Sequence, residues 1–180
     1  MGMYIAFFLS VLTVAAFVAL AITLFTSTYR AQKSGAPFYS TSKDAIRAAL
    51  KEVKLQPGEI FYDLGAGTGK ALLIGEKEFG ARATGFEISI IFFCIAKINL
   101  FLHHSRVALV QKNFFYQDLR DADVVFCFLF PPTMQRMENK LKAELKPGAR
   151  VIVYAFPLPT TSPTKTISIY DKWKMFFYKF

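Results

Sequence analysis

The chain has 180 residues, 22 Lys and Arg against 13 Asp and Glu, a net charge of +9 and 53% hydrophobic side chains. That length holds one domain plus an appendage, and its two cysteines, Cys94 and Cys127, exclude a disulfide framework. Both sit in apolar segments and read as reduced core residues. The chain opens with 29 residues that carry no charged side chain, and stretch 4–25 is apolar apart from Ser10, Thr13 and Thr23. About 20 such residues cross a bilayer core, so a transmembrane helix is expected over 4–25, within a membrane segment 1–29. A cleaved signal peptide fits less well, because no Lys or Arg precedes the apolar run, the run is too long and no clear small-x-small site follows. Arg30 and Lys33 flank its C-terminal end, which puts the remainder on the cytoplasmic or matrix side.

A polar linker, 30–36, leads to a domain over 37–180. Ser42 or Thr41 caps an amphipathic helix near 43–53, and Pro57-Gly58 turns into the first strand. Strands at 59–64, 82–87, 106–111, 123–129 and 149–155 alternate with helices at 69–79, 89–102 and 133–145, which predicts a parallel sheet covered on both faces. The last residues read as a hairpin, 166–170 and 174–180. Helix 89–102 has almost no polar face, so a membrane or oligomer contact is expected on the side away from the core. The basic residues Arg30, Lys33, Lys43, Arg47, Lys51 and Lys54 cluster near the membrane end, where each contributes on the order of 1 kcal/mol toward an anionic leaflet. Nucleic acid also fits that charge, but the adjacent span favours lipid.

The stretch Asp63-Leu64-Gly65-Ala66-Gly67-Thr68-Gly69-Lys70 ends an apolar strand and opens a helix. Glycines there let the backbone turn sharply and approach a ligand, and the helix N-terminus favours an anionic group on it. A dinucleotide fold wants G-x-G-x-x-G, whereas here the glycines alternate and Lys70 stands where the last one should be. The pattern D-x-G-x-G-x-G resembles motif I of the class I S-adenosylmethionine methyltransferases. Glu87, 24 residues after Asp63 and at the end of the next strand, is placed to accept both ribose hydroxyls. Asn113 and Phe114 are expected at the adenine, for its polar edge and its face.

The fourth strand leads into Phe130-Pro131-Pro132-Thr133 at the carboxyl edge, where ligands sit in open α/β folds. The two prolines are expected to stiffen a loop facing the methyl group. Phe130 and Thr133 replace the acid or amide and the aromatic that flank such prolines in methyltransferases of nucleobase amines. A lysine amine needs instead an apolar channel that lowers its pKa by desolvation. Phe38, Tyr39, Phe114, Tyr116, Phe130 and Pro131 are the candidates for it. His103-His104 lacks partners at metal-ligand spacing, so no metal is expected.

With these motifs goes a resemblance to the membrane-anchored lysine methyltransferases that include the enzymes of the ATP synthase c subunit and the adenine nucleotide translocase. It covers 37–180. Its parts are Pro37-Phe38-Tyr39-Ser40-Thr41-Ser42, the glycine motif, Gly85-Phe86-Glu87, the run Glu138 to Leu145, and Ala149-Arg150-Val151-Ile152 leading to Phe156-Pro157-Leu158-Pro159. Ser40, Thr68 and Thr160-Thr161 depart from the family's usual proline, acidic residue and tryptophan. The resemblance implies a Rossmann-like, seven-stranded class I methyltransferase domain behind an N-terminal transmembrane helix. It also implies S-adenosylmethionine as cofactor, held by Asp63, Gly65, Ala66, Gly67, Gly69, Glu87, Asn113 and Phe114, and methyl transfer to a lysine of a membrane or membrane-associated protein. The rival readings are a lipid head group or RNA as acceptor, and a silent membrane-tethered binding module.

Overall fold

The computed structural model describes residues 2–33, 41–169 and 173–180. Helix α1 (Gly2–Lys33) runs past the expected membrane segment and into the expected linker. The rest of that linker, Phe38 and Tyr39 lie outside the described residues, as does the turn of the hairpin at 170–172. The hydroxyls of Ser10, Thr13, Thr23 and Thr26 donate to α1's own carbonyls at 2.7–2.9 Å, so none is left unpaired on the helix surface.

Beyond α1 the order is α2 (Lys43–Glu52), β1 (Ile60–Leu64), α3 (Lys70–Phe79), β2 (Arg82–Phe86), α4 (Ile90–Leu102), β3 (Ala108–Val110), a 3-10 turn (Phe114–Tyr116), β4 (Val124–Cys127), α5 (Pro131–Glu144), β5 (Arg150–Tyr154), β6 (Lys165–Ile169) and β7 (Trp173–Lys179). The seven strands form one sheet in the order β3-β2-β1-β4-β5-β7-β6. Strands β1 to β5 pair in parallel and β7 lies antiparallel between β5 and β6. The order reverses between β1 and β4, which opens a crevice beyond their carboxyl ends.

Side-chain alternation divides the core into two layers. Ile46, Leu50, Leu72, Ala96 and Leu100 of α2, α3 and α4 pack on Phe61, Ala83, Phe126 and Ile152. On the opposite face, Met134, Met137 and Leu141 of α5 join Phe115 and Leu119 against Leu64, Val125, Val151 and Tyr178. Burial of each large aliphatic side chain contributes roughly 1.5–3 kcal/mol, so both faces of the sheet are needed for stability. Every residue of β4 is buried, as expected of a central parallel strand.

Caps fix the helix ends. Ser42 Oγ accepts from the Ala45 N–H at 3.2 Å, as expected for α2. Gly69 and Gly80 bracket α3 with φ of 76° and 70°, a left-handed conformation that a side chain would strain.

Two expectations are corrected. Pro131 and Pro132 do not stiffen a loop; they begin α5, with Phe130 as its N-cap. The first helical turn has no use for their missing N–H groups, and their fixed φ suits it. Cys127 is buried, but Cys94 is exposed, because it lies on the side of α4 that faces away from the sheet. Strands β3, β4 and β5 are shorter than expected, at both ends.

Candidate functional site

Asp63 ends β1 opposite Gly85 of β2 and Phe126 of β4, at the mouth of the crevice. Its side chain is 4% exposed, buried at the base of the glycine turn. Burial, with the nearby negative charge of Glu87 added, pushes its carboxyl up to about 8.

The glycine turn after Asp63 is held from β2. The N–H groups of Gly65 and Ala66 donate to the Phe86 carbonyl at 2.9 and 3.0 Å. Glu87 continues the clamp: its Oε2 accepts from the Gly67 N–H and its Oε1 from the Ser89 N–H, each at 2.8 Å. Burial raises the Glu87 carboxyl, and the bonds from Ser89, Gly67 and Ile88 pull it back without cancelling the rise. From α4, Asn99 Nδ2 donates to the Thr68 carbonyl at 3.0 Å. Thus Glu87, Phe86 and Asn99 orient the loop that follows the buried Asp63.

Two glycines here have distinct reasons. Gly65, at φ 92°, is exposed and has open space where a Cβ would stand, so a ligand has room to approach the loop backbone. Gly85 has none, because a Cβ there would lie 2.4 Å from Leu72 Cδ1 and 2.8 Å from Ala66 Cβ. Its absence of a side chain lets α3 and the loop close onto β2.

Beyond β3, Asn113 caps the 3-10 turn, its Oδ1 accepting from the Phe115 N–H at 3.0 Å. Phe114 is buried beside Phe115, with ring centroids 4.6 Å apart. Tyr116 is exposed and, with Phe115, lies under the Arg136 guanidinium of α5.

Phe130 belongs to an aromatic cluster at the ends of β4 and β5. Its ring centroid is 6.2 Å from Phe128 and 5.4 Å from Phe156. Phe128 in turn meets Tyr154 edge-on at 4.8 Å and Trp173 at 6.1 Å. Of these five, sequence reasoning named Phe130 alone for the channel, and Phe156 only within the run quoted for the family resemblance. Phe128, Tyr154, Phe156 and Trp173 meet because β4, β5 and β7 are neighbours, and only knowledge of that order would have flagged them.

The backbone turns abruptly to deliver Phe156. Ala155 has φ 73°, and the Phe156 N–H donates to the Tyr154 carbonyl at 3.0 Å, closing a tight γ-turn. That conformation is costly for a residue with a Cβ and persists only where the surroundings enforce it. The Tyr178 hydroxyl accepts from the Leu158 N–H at 2.9 Å, and Glu138 of α5 supplies the remaining hold. The Glu138 carboxylate, fully buried, accepts from the Thr160 N–H at 3.0 Å, the Thr160 hydroxyl at 2.7 Å and the Thr161 hydroxyl, and pairs with Lys142 at 2.9 Å. Burial raises its carboxyl, but the bonds from Thr161, Lys142 and Thr160 win and bring it down to about 2.

A seven-stranded sheet of this order, a glycine turn clamped by an acidic residue and an acid-lined crevice are therefore combined in one site. Residues 63–165 match the family described as the ANTKMT methyltransferase domain. The chain belongs to that family. It is a class I methyltransferase, and its cofactor is S-adenosylmethionine. The buried Asp63 carboxylate suits an ammonium group, and the open space at Gly65 suits a ligand laid on the loop, so the residues of this methyltransferase fit that cofactor.

A protein-lysine N-methyltransferase of Saccharolobus islandicus (strain REY15A) is 33% identical over 75% of this methyltransferase and 86% of its own length. The adenine nucleotide translocase lysine N-methyltransferase of Mus musculus is 31% identical over 73% of it and 58% of its own length. For the Xenopus laevis lysine N-methyltransferase of the ATP synthase c subunit, the identity is 29%, over 71% and 56%. This methyltransferase thus spans less than two thirds of those two animal relatives. Among solved structures, an RNA methyltransferase from Salinibacter ruber in complex with S-adenosyl-L-homocysteine superposes with a TM-score of 0.75. It is 24% identical and covers 78% of this chain and 93% of its own, a likeness of fold.

Proposed function

We propose that α1 anchors this methyltransferase in a bilayer and that the domain methylates a lysine side chain of a membrane protein, or of one held beside the membrane. The span Tyr4–Thr23 is 20 residues with a mean hydropathy of 2.7, and about 30 Å of helix matches a hydrocarbon core. With Arg30 and Lys33 following it, the domain would lie on the cytoplasmic or matrix side. The Arg47 guanidinium is engaged by Glu78 and Asp44, so Lys43, Lys51 and Lys54 remain as the basic side chains of α2 and its exit that would face the lipid surface.

Bound S-adenosylmethionine supplies a methyl group activated on a sulfonium. Asp63 would receive the ammonium end, Gly65, Ala66, Gly67 and Gly69 would let the backbone come close, and Glu87 would accept the ribose hydroxyls. Asn113, whose Oδ1 is used by the cap, keeps Nδ2 as a donor for the adenine edge, with Phe114 behind it. The lysine amine would enter past Phe130, fixed as the cap before Pro131, and Phe156, with Phe38 and Tyr39 from the preceding segment. In an apolar aromatic channel the ammonium form is disfavoured, so its proton leaves to water and the nitrogen lone pair becomes available. The group that the cofactor would supply to that nitrogen is its methyl, the sulfur keeping the electron pair of the S–CH₃ bond. Proximity and desolvation would carry the rate, since no strong base is required once the amine is neutral.

The observation that carries the lysine reading is the cluster Phe128, Phe130, Tyr154, Phe156 and Trp173 beside the crevice, apolar where a nucleobase amine would want a carboxylate or amide. Three relatives bear the name of lysine N-methyltransferases, which supports it. The test incubates the detergent-solubilised protein with methyl-labelled S-adenosylmethionine and membranes from cells lacking the gene. Label that hydrolyses to methyllysine supports the proposal, whereas label extracted with lipid or RNA overturns the acceptor.

A further inference from the structure

Outside α1, the exposed large hydrophobic side chains among the described residues are Ile95, Ile98, Phe101, Leu102 and Tyr116. Four of the five lie on α4. On a helical wheel of 100° per residue, Ala96 and Leu100, the buried residues of α4, point one way, and Ile98 points about 180° from the mean of the two. Cys94, Ile95, Phe101 and Leu102 fall on either side of Ile98, so one continuous apolar stripe faces directly away from the core. Phe101 is 79% exposed and Leu102 67%, which is unusual for side chains of that size on a folded domain.

We propose that this stripe is a lipid-docking surface, seated in the interfacial region of the same bilayer that α1 spans. The inference rests on the reading of α1 as a membrane anchor. Three observations select lipid over a second copy of the chain. Helix α4 contacts α1, so the stripe lies on an element that touches the anchor. No acidic residue occurs in α4, and the exposed side chains of Lys97, Arg106 and Lys112, on it or just beyond it, are cations suited to anionic head groups. Finally, the stripe runs over 94–102, about 12 Å of helix, as an apolar face flanked by cations, the composition of a surface seated at the headgroup and acyl boundary. A helix apolar on every side has to be buried on every side; the core covers one half and the bilayer covers the other.

The consequence for the site is geometric. The same helix carries Asn99, which holds the glycine turn through the Thr68 carbonyl. With α4 lying along the membrane, the strands run roughly parallel to the surface. The carboxyl edge then opens sideways, at the height of a lysine just outside a membrane protein's hydrocarbon span.

Cys94 supplies a native probe, since Cys127 is fully buried. The full-length protein, labelled with a nitroxide at Cys94, is reconstituted in phosphatidylcholine vesicles containing phosphatidylglycerol. Collisions of the spin label with oxygen and with a water-soluble nickel chelate are then compared. A second sample carries the label on Ala16→Cys in a Cys94→Ser background and reports on α1. The expected result is a label more accessible to oxygen than to nickel at both positions, with Ile98→Glu plus Phe101→Glu reversing the ratio at Cys94 only. If the Ala16→Cys label lies in lipid but the Cys94 label is more accessible to nickel, the docking surface is overturned and the anchor stands. A Cys94 label shielded from both reagents means that protein covers the stripe, which also overturns it. An Ala16→Cys label in water refutes the anchor itself, and the Cys94 ratio from the first sample still decides whether α4 enters lipid.

Discussion

The Glu87 carboxylate and the Gly67 N–H are joined by a 2.8 Å hydrogen bond, so the residue at the end of β2 shapes the turn at the end of β1. Its other oxygen holds Ser89, at the start of α4. Glu87 therefore has two tasks, positioning the loop and, in the proposed complex, accepting the ribose hydroxyls. Glu87→Ala removes both and should weaken S-adenosylmethionine binding by roughly 100-fold, about 3 kcal/mol, the sum of two or three hydrogen bonds to a charged group. Glu87→Gln keeps the shape and should retain the fold with an intermediate loss. Calorimetric titration of both variants decides it, and unchanged affinity in the Ala variant would remove Glu87 from the cofactor site.

Asp63 links cofactor binding to pH. Its folded carboxyl is pushed up from the usual 3.8 to about 8, first by burial and then by Glu87. A raised folded value favours the protonated form. Stability from this group is therefore fully present below about pH 4 and is lost progressively as pH rises toward about 8. An ammonium group placed against Asp63 favours the carboxylate, so binding at pH 7 should release close to one proton and at pH 9 almost none. Calorimetry at each pH in buffers of different ionisation enthalpy measures that number. Asp63→Asn should abolish the proton release and weaken binding, while raising the melting temperature of the ligand-free protein above neutral pH by several degrees, about 1–2 kcal/mol. A ligand-free variant less stable than wild type at pH 8 would contradict the account.

The elements around these two residues are legible in the sequence because their signals are local. An apolar strand, alternating glycines, a helix start and an acidic residue just after the next strand all fall within 28 positions, 60–87. The aromatic cluster is not, since Phe128 and Trp173 are 45 residues apart and meet only through the strand order β4-β5-β7. Pro131 and Pro132 mislead for another reason: a proline pair suits a loop and a first helical turn equally, and the apolar contacts of Met134 and Met137 decide for the helix. For Cys94, the apolar run around it suggests core, whereas α4 buries one side only.

Glu138 is a positioning residue for the loop that carries Phe156. Its charge is held down at about 2, against a usual 4.5, by the threonine donors and Lys142. The lowered value means that its stabilising effect is present above about pH 4.5 and is lost as pH falls toward about 2. Glu138→Gln loses the ion pair and part of the hydrogen bonding and should cost about 1–3 kcal/mol at pH 7. The gap to wild type should narrow as the pH drops through that window, which denaturant melts at several pH values would reveal. In the proposed complex the loop lies on the acceptor side, so KM for the lysine substrate should rise while S-adenosylmethionine affinity stays near wild type.

Phe156 tests the desolvation argument itself. Its ring lies 5.4 Å from Phe130 and closes the aromatic cluster on the side of the loop after β5. If that cluster lowers the pKa of the incoming amine by excluding water, truncating the ring should admit water and return the amine toward its solution value near 10.4. Phe156→Ala is therefore expected to move the acidic limb of the kcat/KM profile to higher pH, by about one unit, and to lower the rate at pH 7 by about tenfold. At high pH, where the amine is neutral in either protein, the difference should shrink. Phe156→Leu, apolar but smaller, should fall between the two, and S-adenosylmethionine affinity should not change in either variant. A rate loss that is the same at every pH would mean that Phe156 acts through orientation alone, and the desolvation account of the lysine reaction would then be wrong.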